Sequence, residues 1–162
     1  MPWFLEVSHQ APHPPMDITA TMMGTVRGRR FPQPDMSTST PAAVATMGRQ
    51  NYAAKIERLD YWLGEYIGLL NRTGELDNTV ICLASDHGEM LFDRDVTAKS
   101  KPWNSASSVP LLCRSGAALG IKPDAVVAAP VSTVDLAATF LDFAGILDKA
   151  PPGMSTSSLK PV

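Results

Sequence analysis

No excess of basic residues marks this 162-residue chain: 14 lysines and arginines stand against 16 aspartates and glutamates, a net charge of −2. A nucleic-acid partner, whose phosphates need clustered cations, is therefore not expected. No apolar run reaches the roughly 20 residues that a helix needs to cross a bilayer, so no membrane span is expected. Cysteine is scarce. Cys82 and Cys113 lie inside short apolar runs and have neither the spacing of a zinc site nor that of a disulfide framework. They are expected to be buried, unreactive thiols that pack as small hydrophobes. The N-terminus, Met-Pro-Trp-Phe-Leu-Glu-Val-Ser, lacks the basic region and long apolar core of a secretory signal. It opens directly into an apolar run, Trp3 to Val7, that reads as a strand, as if in the middle of a domain.

What is present is an ordinary globular composition, 44% hydrophobic and 19% charged, which supports one domain with a real core over residues 1–150. The chain is organised around Thr79-Val80-Ile81-Cys82-Leu83-Ala84-Ser85-Asp86-His87-Gly88-Glu89. Its β-branched apolar half reads as a strand buried on both faces. The strand ends abruptly in a carboxylate and an imidazole, followed by a glycine that frees the backbone to turn. In open α/β sheets, ligands bind just outside the carboxyl ends of strands. A hard oxygen from Asp86 and a nitrogen from His87 suit a divalent metal. An aspartate in this position also serves commonly as the N-cap of a following helix.

After Val7, Ser8-His9-Gln10-Ala11-Pro12-His13-Pro14-Pro15 must leave any ladder, because proline cannot donate to one. His13 stands between prolines that restrict its backbone and fix its direction. Residues 16–49, with the Arg27-Arg29-Arg30 cluster and a Pro/Ser/Thr-rich run, read as a long irregular loop whose arginines are solvated or meet an anionic substrate. From Gln50 to Leu70 the spacing of Tyr52, Ile56, Leu59, Leu63, Tyr66, Ile67 and Leu70 predicts a helix with one apolar, core-facing stripe, closed by Arg72 and Gly74. Met90 to Ala98 reads as a polar loop leading to Lys99-Ser100-Lys101-Pro102-Trp103, and Val109 to Cys113 as a second strand. Residues 125–129 read as a brief strand or packed coil. Ser132 to Asp135 opens a further helix with a hydroxyl and a carboxylate three residues on, and Gly145 stops it. The Pro/Ser-rich residues 151–162 read as a tail leading out of the domain.

Taken in order, these segments resemble the C-terminal part of the catalytic domain of a sulfatase, within the alkaline phosphatase superfamily. The likeness is carried by Trp3-Phe4-Leu5 through Ala11-Pro12-His13, by the helix from Tyr52, and by Asp77-Asn78-Thr79 through Ser85-Asp86-His87-Gly88-Glu89. It continues through Lys99 to Pro110, Val134 to Ile146 and Pro152-Gly153-Met154. The resemblance implies a partial α/β/α sandwich with a mainly parallel, alkaline-phosphatase-like sheet, and a sulfuric ester hydrolase. Asp86 and His87 would be metal ligands. His13 and Lys99 would be the catalytic residues and contact the sulfate group, with Lys101 a rival two residues away. The metal is calcium in most sulfatases, although an imidazole at His87 suits manganese, zinc or iron better. The substrate would be a sulfate-ester small molecule or glycan. Compartment is not legible, family members being commonly secreted, periplasmic or lysosomal.

The chain also departs from the family. No Cys-x-Pro-Ser-Arg motif, from which the formylglycine nucleophile is made, occurs in it, nor does the upstream aspartate pair. Phe92-Asp93-Arg94 stands where the family has Gly-Asp-His. These absences imply a fragment, a truncated gene model or a degenerate copy, expected to be inactive and poorly soluble alone. The alternatives are a phosphate or phosphonate ester hydrolase of the same superfamily and a non-catalytic remnant.

Overall fold

The computed structural model describes residues 2–154 and 156–160. Among these, helices α1 (Ala20–Val26), α2 (Ala42–Arg72), α3 (Asn104–Ser107) and α4 (Asp135–Phe143) and strands β1 (Ile81–Ala84) and β2 (Leu111–Arg114) are joined by coil and short 3₁₀ turns. The chain divides into two compact units, residues 1–66 with 87–108 and residues 67–86 with 109–162.

The first unit is built on residues 42–66 of α2, whose last turns belong to the second. The helix starts at Ala42, earlier than the apolar stripe alone suggests, and ends on Gly74 at φ +75°. There the Gly74 N–H donates to Asn71 O (3.2 Å) and the Glu75 N–H to Leu70 O (2.9 Å), which satisfies the last carbonyls of the helix. The stripe itself is only half-buried, and Ile56 is exposed; the fully buried positions of α2 are the small residues Ala45, Gly48 and Ala54. Small size is required where another segment comes close: a Cβ on Gly48 would stand 2.4 Å from the Phe92 ring. The supposedly irregular stretch 16–49 carries α1, capped by the Thr19 hydroxyl accepting from the Met22 N–H at 3.2 Å, besides the first turns of α2. Val26, Ala45, Ala54, Met90 and Ala106 are the buried apolar residues of this unit.

Residues Trp3 to Val7 are not a strand. They run as coil without ladder bonds, and Trp3, Phe4 and Leu5 are 55%, 70% and 67% exposed.

In the second unit β1 pairs with β2 antiparallel, Cys82 opposite Cys113 and Ala84 opposite Leu111. This is the only strand pair among the described residues, so the ladder seen is antiparallel and not the parallel one anticipated. Nor is β1 covered on both faces: its residues are half-buried, and Leu83 is exposed. The cysteines are not free thiols but a disulfide, because the register brings their Cα atoms to 4.2 Å. Residues 125–129 are exposed coil rather than strand.

Helix α4 begins at Asp135, whose carboxylate accepts from the Ser132 N–H at 3.0 Å. It closes at Gly145 with the anticipated stop. The segment after it does not lead away. Its Leu159 N–H donates to the buried Thr139 hydroxyl (2.9 Å), and Lys160 Nζ lies 3.3 Å from the Asp142 carboxylate and over the Phe143 ring, so residues 156–160 return along α4.

Candidate active site

Strand β1 delivers Ser85 and Asp86 in the second unit. Asp86 is exposed, with the Ser85 hydroxyl 3.5 Å from its Oδ1. No helix begins directly after it, which removes the N-cap explanation for the carboxylate. His87, next in the chain, opens the return segment of the first unit and is half-buried. Its Nδ1–H donates to Gly88 O at 2.8 Å, and its Nε2 lies 2.7 Å from Lys99 Nζ. A carbonyl can only accept, so Nδ1 carries the ring hydrogen and Nε2 presents its lone pair to the lysine ammonium. Gly88 makes this possible: its N–H donates to Ala106 O at 2.8 Å, and a Cβ there would fall 2.2 Å from Ser105 O. Only glycine allows the turn after His87 to seat against α3.

The segment that carries Lys99 is held from within. The Glu89 carboxylate accepts the N–H of Ala98 and that of Leu91, and the Met90 N–H donates to Ala98 O at 2.9 Å. Ala98, immediately before Lys99, is thus pinned at both its N–H and its C=O. Met90 is fully buried and anchors the other end. Between them Leu91, Phe92, Arg94, Asp95 and Ala98 all adopt the left-handed region, with Phe92 at φ +72°. Such conformations are unfavourable for side chains with a Cβ and persist only where surroundings impose them.

Those surroundings are two carboxylates. Asp93 accepts from Arg49 Nη2 (2.5 Å), Ser105 Oγ (2.6 Å) and the Asp35 N–H (2.8 Å). Burial pushes the Asp93 carboxyl upward, yet these donors together hold it below the usual carboxylate range. Asp95 is gripped by the hydroxyl of Ser37 (2.5 Å) and the N–H groups of Thr38 (3.0 Å), Ser39 (3.0 Å) and Thr40 (2.8 Å), just ahead of α2. The Ser37 hydroxyl above all, then these amides, hold its carboxyl far below the ordinary range. Tyr52 is pushed upward, by burial first and then by the nearby Glu89 charge.

His13 lies elsewhere in the first unit, exposed beside a cavity of about 290 Å³ lined also by Gln10, Asp17 and Lys55. Its Nδ1–H donates to Pro14 O at 2.7 Å, and Lys55 Nζ donates to His13 O (2.9 Å) and Pro15 O (2.6 Å). The structure therefore brings His87 and Lys99 together. Among the described residues no hydrogen bond joins His13 to either. Lys101 is exposed and bonded to none of them. Of the arginine cluster, Arg29 pairs with Glu57 and lies over Phe31.

Among the described residues no group of three or more His, Cys, Asp or Glu side chains gathers as a metal cage. The two residues expected as ligands, Asp86 and His87, are consecutive in the chain. The imidazole fits a cation in one respect: its Nδ1–H is committed to a backbone carbonyl, an arrangement that orients metal-binding histidines; its one lone pair, on Nε2, accepts from Lys99, which a cation at that nitrogen would have to displace. Sequence reasoning missed Glu89 and Lys55. Glu89 directly follows the Asp-His-Gly run, but its role depends on a contact nine residues away. The signal for Lys55 is a proline-rich loop whose carbonyls lack amide donors of their own.

Comparison with known proteins defines first the architecture. The chain superposes on the phosphonate monoester hydrolase SpPMH from Silicibacter pomeroyi with a TM-score of 0.81, at 27% identity, covering 93% of this chain and 35% of that one. It also matches BT4656, solved in complex with its substrate D-glucosamine-2-N,6-O-disulfate, with a TM-score of 0.59 at 31% identity over 75% of this chain and 24% of the other. The choline-sulfatase of Rhizobium meliloti is 38% identical over 115 residues, 70% of this chain and 22% of the relative. The Sulfatase family model matches residues 1–146. The chain belongs to the sulfatase family, has an alkaline-phosphatase-like fold, and spans about a fifth of the length of that curated relative.

Proposed function

We propose that this chain contributes the oxyanion-binding and metal-binding part of a sulfuric ester hydrolase acting on a sulfate-ester small molecule or glycan. The observation that carries the reading is the Lys99–His87 contact at 2.7 Å, directly after Asp86, in a chain of the sulfatase family. Cleaving a sulfate ester requires the anionic group to be clamped, its charge neutralised and the leaving oxygen protonated. Lys99 supplies a point charge to the sulfuryl oxygens. His13, with Nδ1–H committed to Pro14 O, would in its imidazolium form also carry a hydrogen on Nε2, which could donate to a sulfate oxygen or pass to the leaving oxygen, returning the ring to the neutral Nδ1–H tautomer. Asp86 and His87 would hold a divalent metal, calcium by family habit and manganese or another transition metal by the softness of the imidazole. When bound, that metal neutralises charge on the ester. Lys101 is the reserve cation. The mainly parallel sheet belongs to the same proposal, as a property of the complete catalytic domain.

The test is to express the chain together with the coding sequence upstream of it and assay 4-nitrophenyl sulfate against phosphate and phosphonate esters. Sulfatase activity that falls by about 100-fold or more in Lys99→Ala and His13→Ala is expected. The phosphonate hydrolase similarity supports a second reading, and a preference for phosphonate esters would replace the first with it. Absence of all three activities would leave the non-catalytic remnant.

A further inference from the structure

The loop that carries His13 cannot hold itself. Of the six residues from Gln10 to Pro15, three are prolines with no N–H to donate. Its one internal backbone bond is the His13 N–H to Gln10 O at 3.0 Å. The carbonyls on the far side of that turn need donors from elsewhere. Helix α2 provides them. Asn51 and Lys55, four residues apart and so on one helical face, reach down to three carbonyls: Asn51 Nδ2 to Met16 O (3.0 Å), and Lys55 Nζ to Pro15 O (2.6 Å) and His13 O (2.9 Å). The imidazole is tied to Pro14 O, the carbonyl lying between the two that Lys55 holds. Ring, backbone and ammonium thus form one chain of contacts at the wall of the 290 Å³ cavity that His13 and Lys55 both line.

We propose that Lys55 is a positioning residue for His13: by bridging His13 O and Pro15 O it fixes the Pro14 carbonyl, and through it the tautomer and direction of the His13 imidazole. The catalytic use of that imidazole rests on the sulfatase reading above; its orientation by Lys55 does not. A charged donor suits the task because one ammonium serves two acceptors at once and still has a third N–H for the cavity.

The experiment is long-range ¹H–¹⁵N spectroscopy of the full chain labelled at its three histidines, in wild type, Lys55→Met, Lys55→Gln and Lys55→Arg. In wild type His13 is expected as the Nδ1–H tautomer. In Lys55→Met its two nitrogen shifts should move towards the averaged values of a free imidazole, while His87, tied to Gly88 O, stays unchanged. Lys55→Arg should restore the wild-type pattern, and Lys55→Gln, too short to bridge both carbonyls, should not. An unchanged His13 in either Lys55→Met or Lys55→Gln overturns the proposal. Loss of the His87 pattern in both variants also overturns it, since Lys55 would then hold the whole unit rather than one side chain. In the upstream-extended protein the same Lys55→Met change should lower kcat by about 100-fold with little change in KM, rescued by arginine. If the spectra behave as stated and no ester is hydrolysed, the functional reading fails and the positioning role stands.

Discussion

His13 and His87 share one local device and differ in everything that supports it. In each, Nδ1–H donates to the carbonyl of the next residue, at 2.7 Å and 2.8 Å, so that Nε2 is turned outward. His87 stands on packing. The glycine after it is pressed against α3, the methionine three residues on is fully buried, and its Nε2 already meets Lys99. His13 is exposed, flanked by prolines, and its loop is held by side-chain donors from α2. One imidazole is over-determined by the fold and suited to a fixed ligand role. The other depends on a few polar contacts at the wall of a cavity.

The contrast can be broken hardest at Met90. Met90→Ala should lower the unfolding free energy by about 2–5 kcal/mol in urea titration, because it empties the largest fully buried side chain beside the His87 turn. Gly88→Ala comes next. Its Cβ would stand 2.2 Å from Ser105 O, a backbone atom that cannot swing away, and a loss of about 1–3 kcal/mol together with the Lys99–His87 contact is expected. Lys55→Met should cost only about 1 kcal/mol, since its carbonyl partners lie at the surface and return to water, while disturbing His13 selectively.

A smaller effect sharpens the same contrast through pH. Asp93 and Asp95, both held below the usual carboxylate range, brace the segment that carries Lys99. Their stabilisation is present above the unfolded carboxylate value of about 4 and lost as pH falls below it, because the unfolded chain then binds protons that the folded one excludes. Unfolding midpoints measured between about pH 5 and pH 2 should decline in wild type and decline less in Asp95→Asn. Equal acid sensitivity in the two proteins would show that the Ser37–Thr40 grip on Asp95 does not brace the Lys99 loop.

The sequence made some of this legible and hid the rest for physical reasons. The long helix, the glycine stops at Gly74 and Gly145, and the strand leading into Asp86 were all written in local periodicity and cap chemistry. The Cys82–Cys113 bridge was not, since it depends on the register of two strands 31 residues apart, and register follows from tertiary pairing. Trp3 to Val7 has the composition of a strand but runs as coil, because a ladder needs a paired strand that composition does not specify. Of the candidate site, the Asp86-His87-Gly88 run and Lys99 stand out in the sequence, and the structure brings His87 and Lys99 to 2.7 Å. Glu89, Asp95 and Lys55 do not stand out, because each acts on backbone groups of a segment distant in sequence, and such acceptors leave no signature in residue type.

The proposal that Asp86 and His87 would hold a divalent cation is tested most directly by calorimetric titration of the purified chain with calcium and with manganese. The account expects saturable binding of at least one of them, weakened about tenfold or more in Asp86→Ala and in His87→Ala. Absence of binding, or equal affinity in Asp86→Ala and wild type, would contradict it.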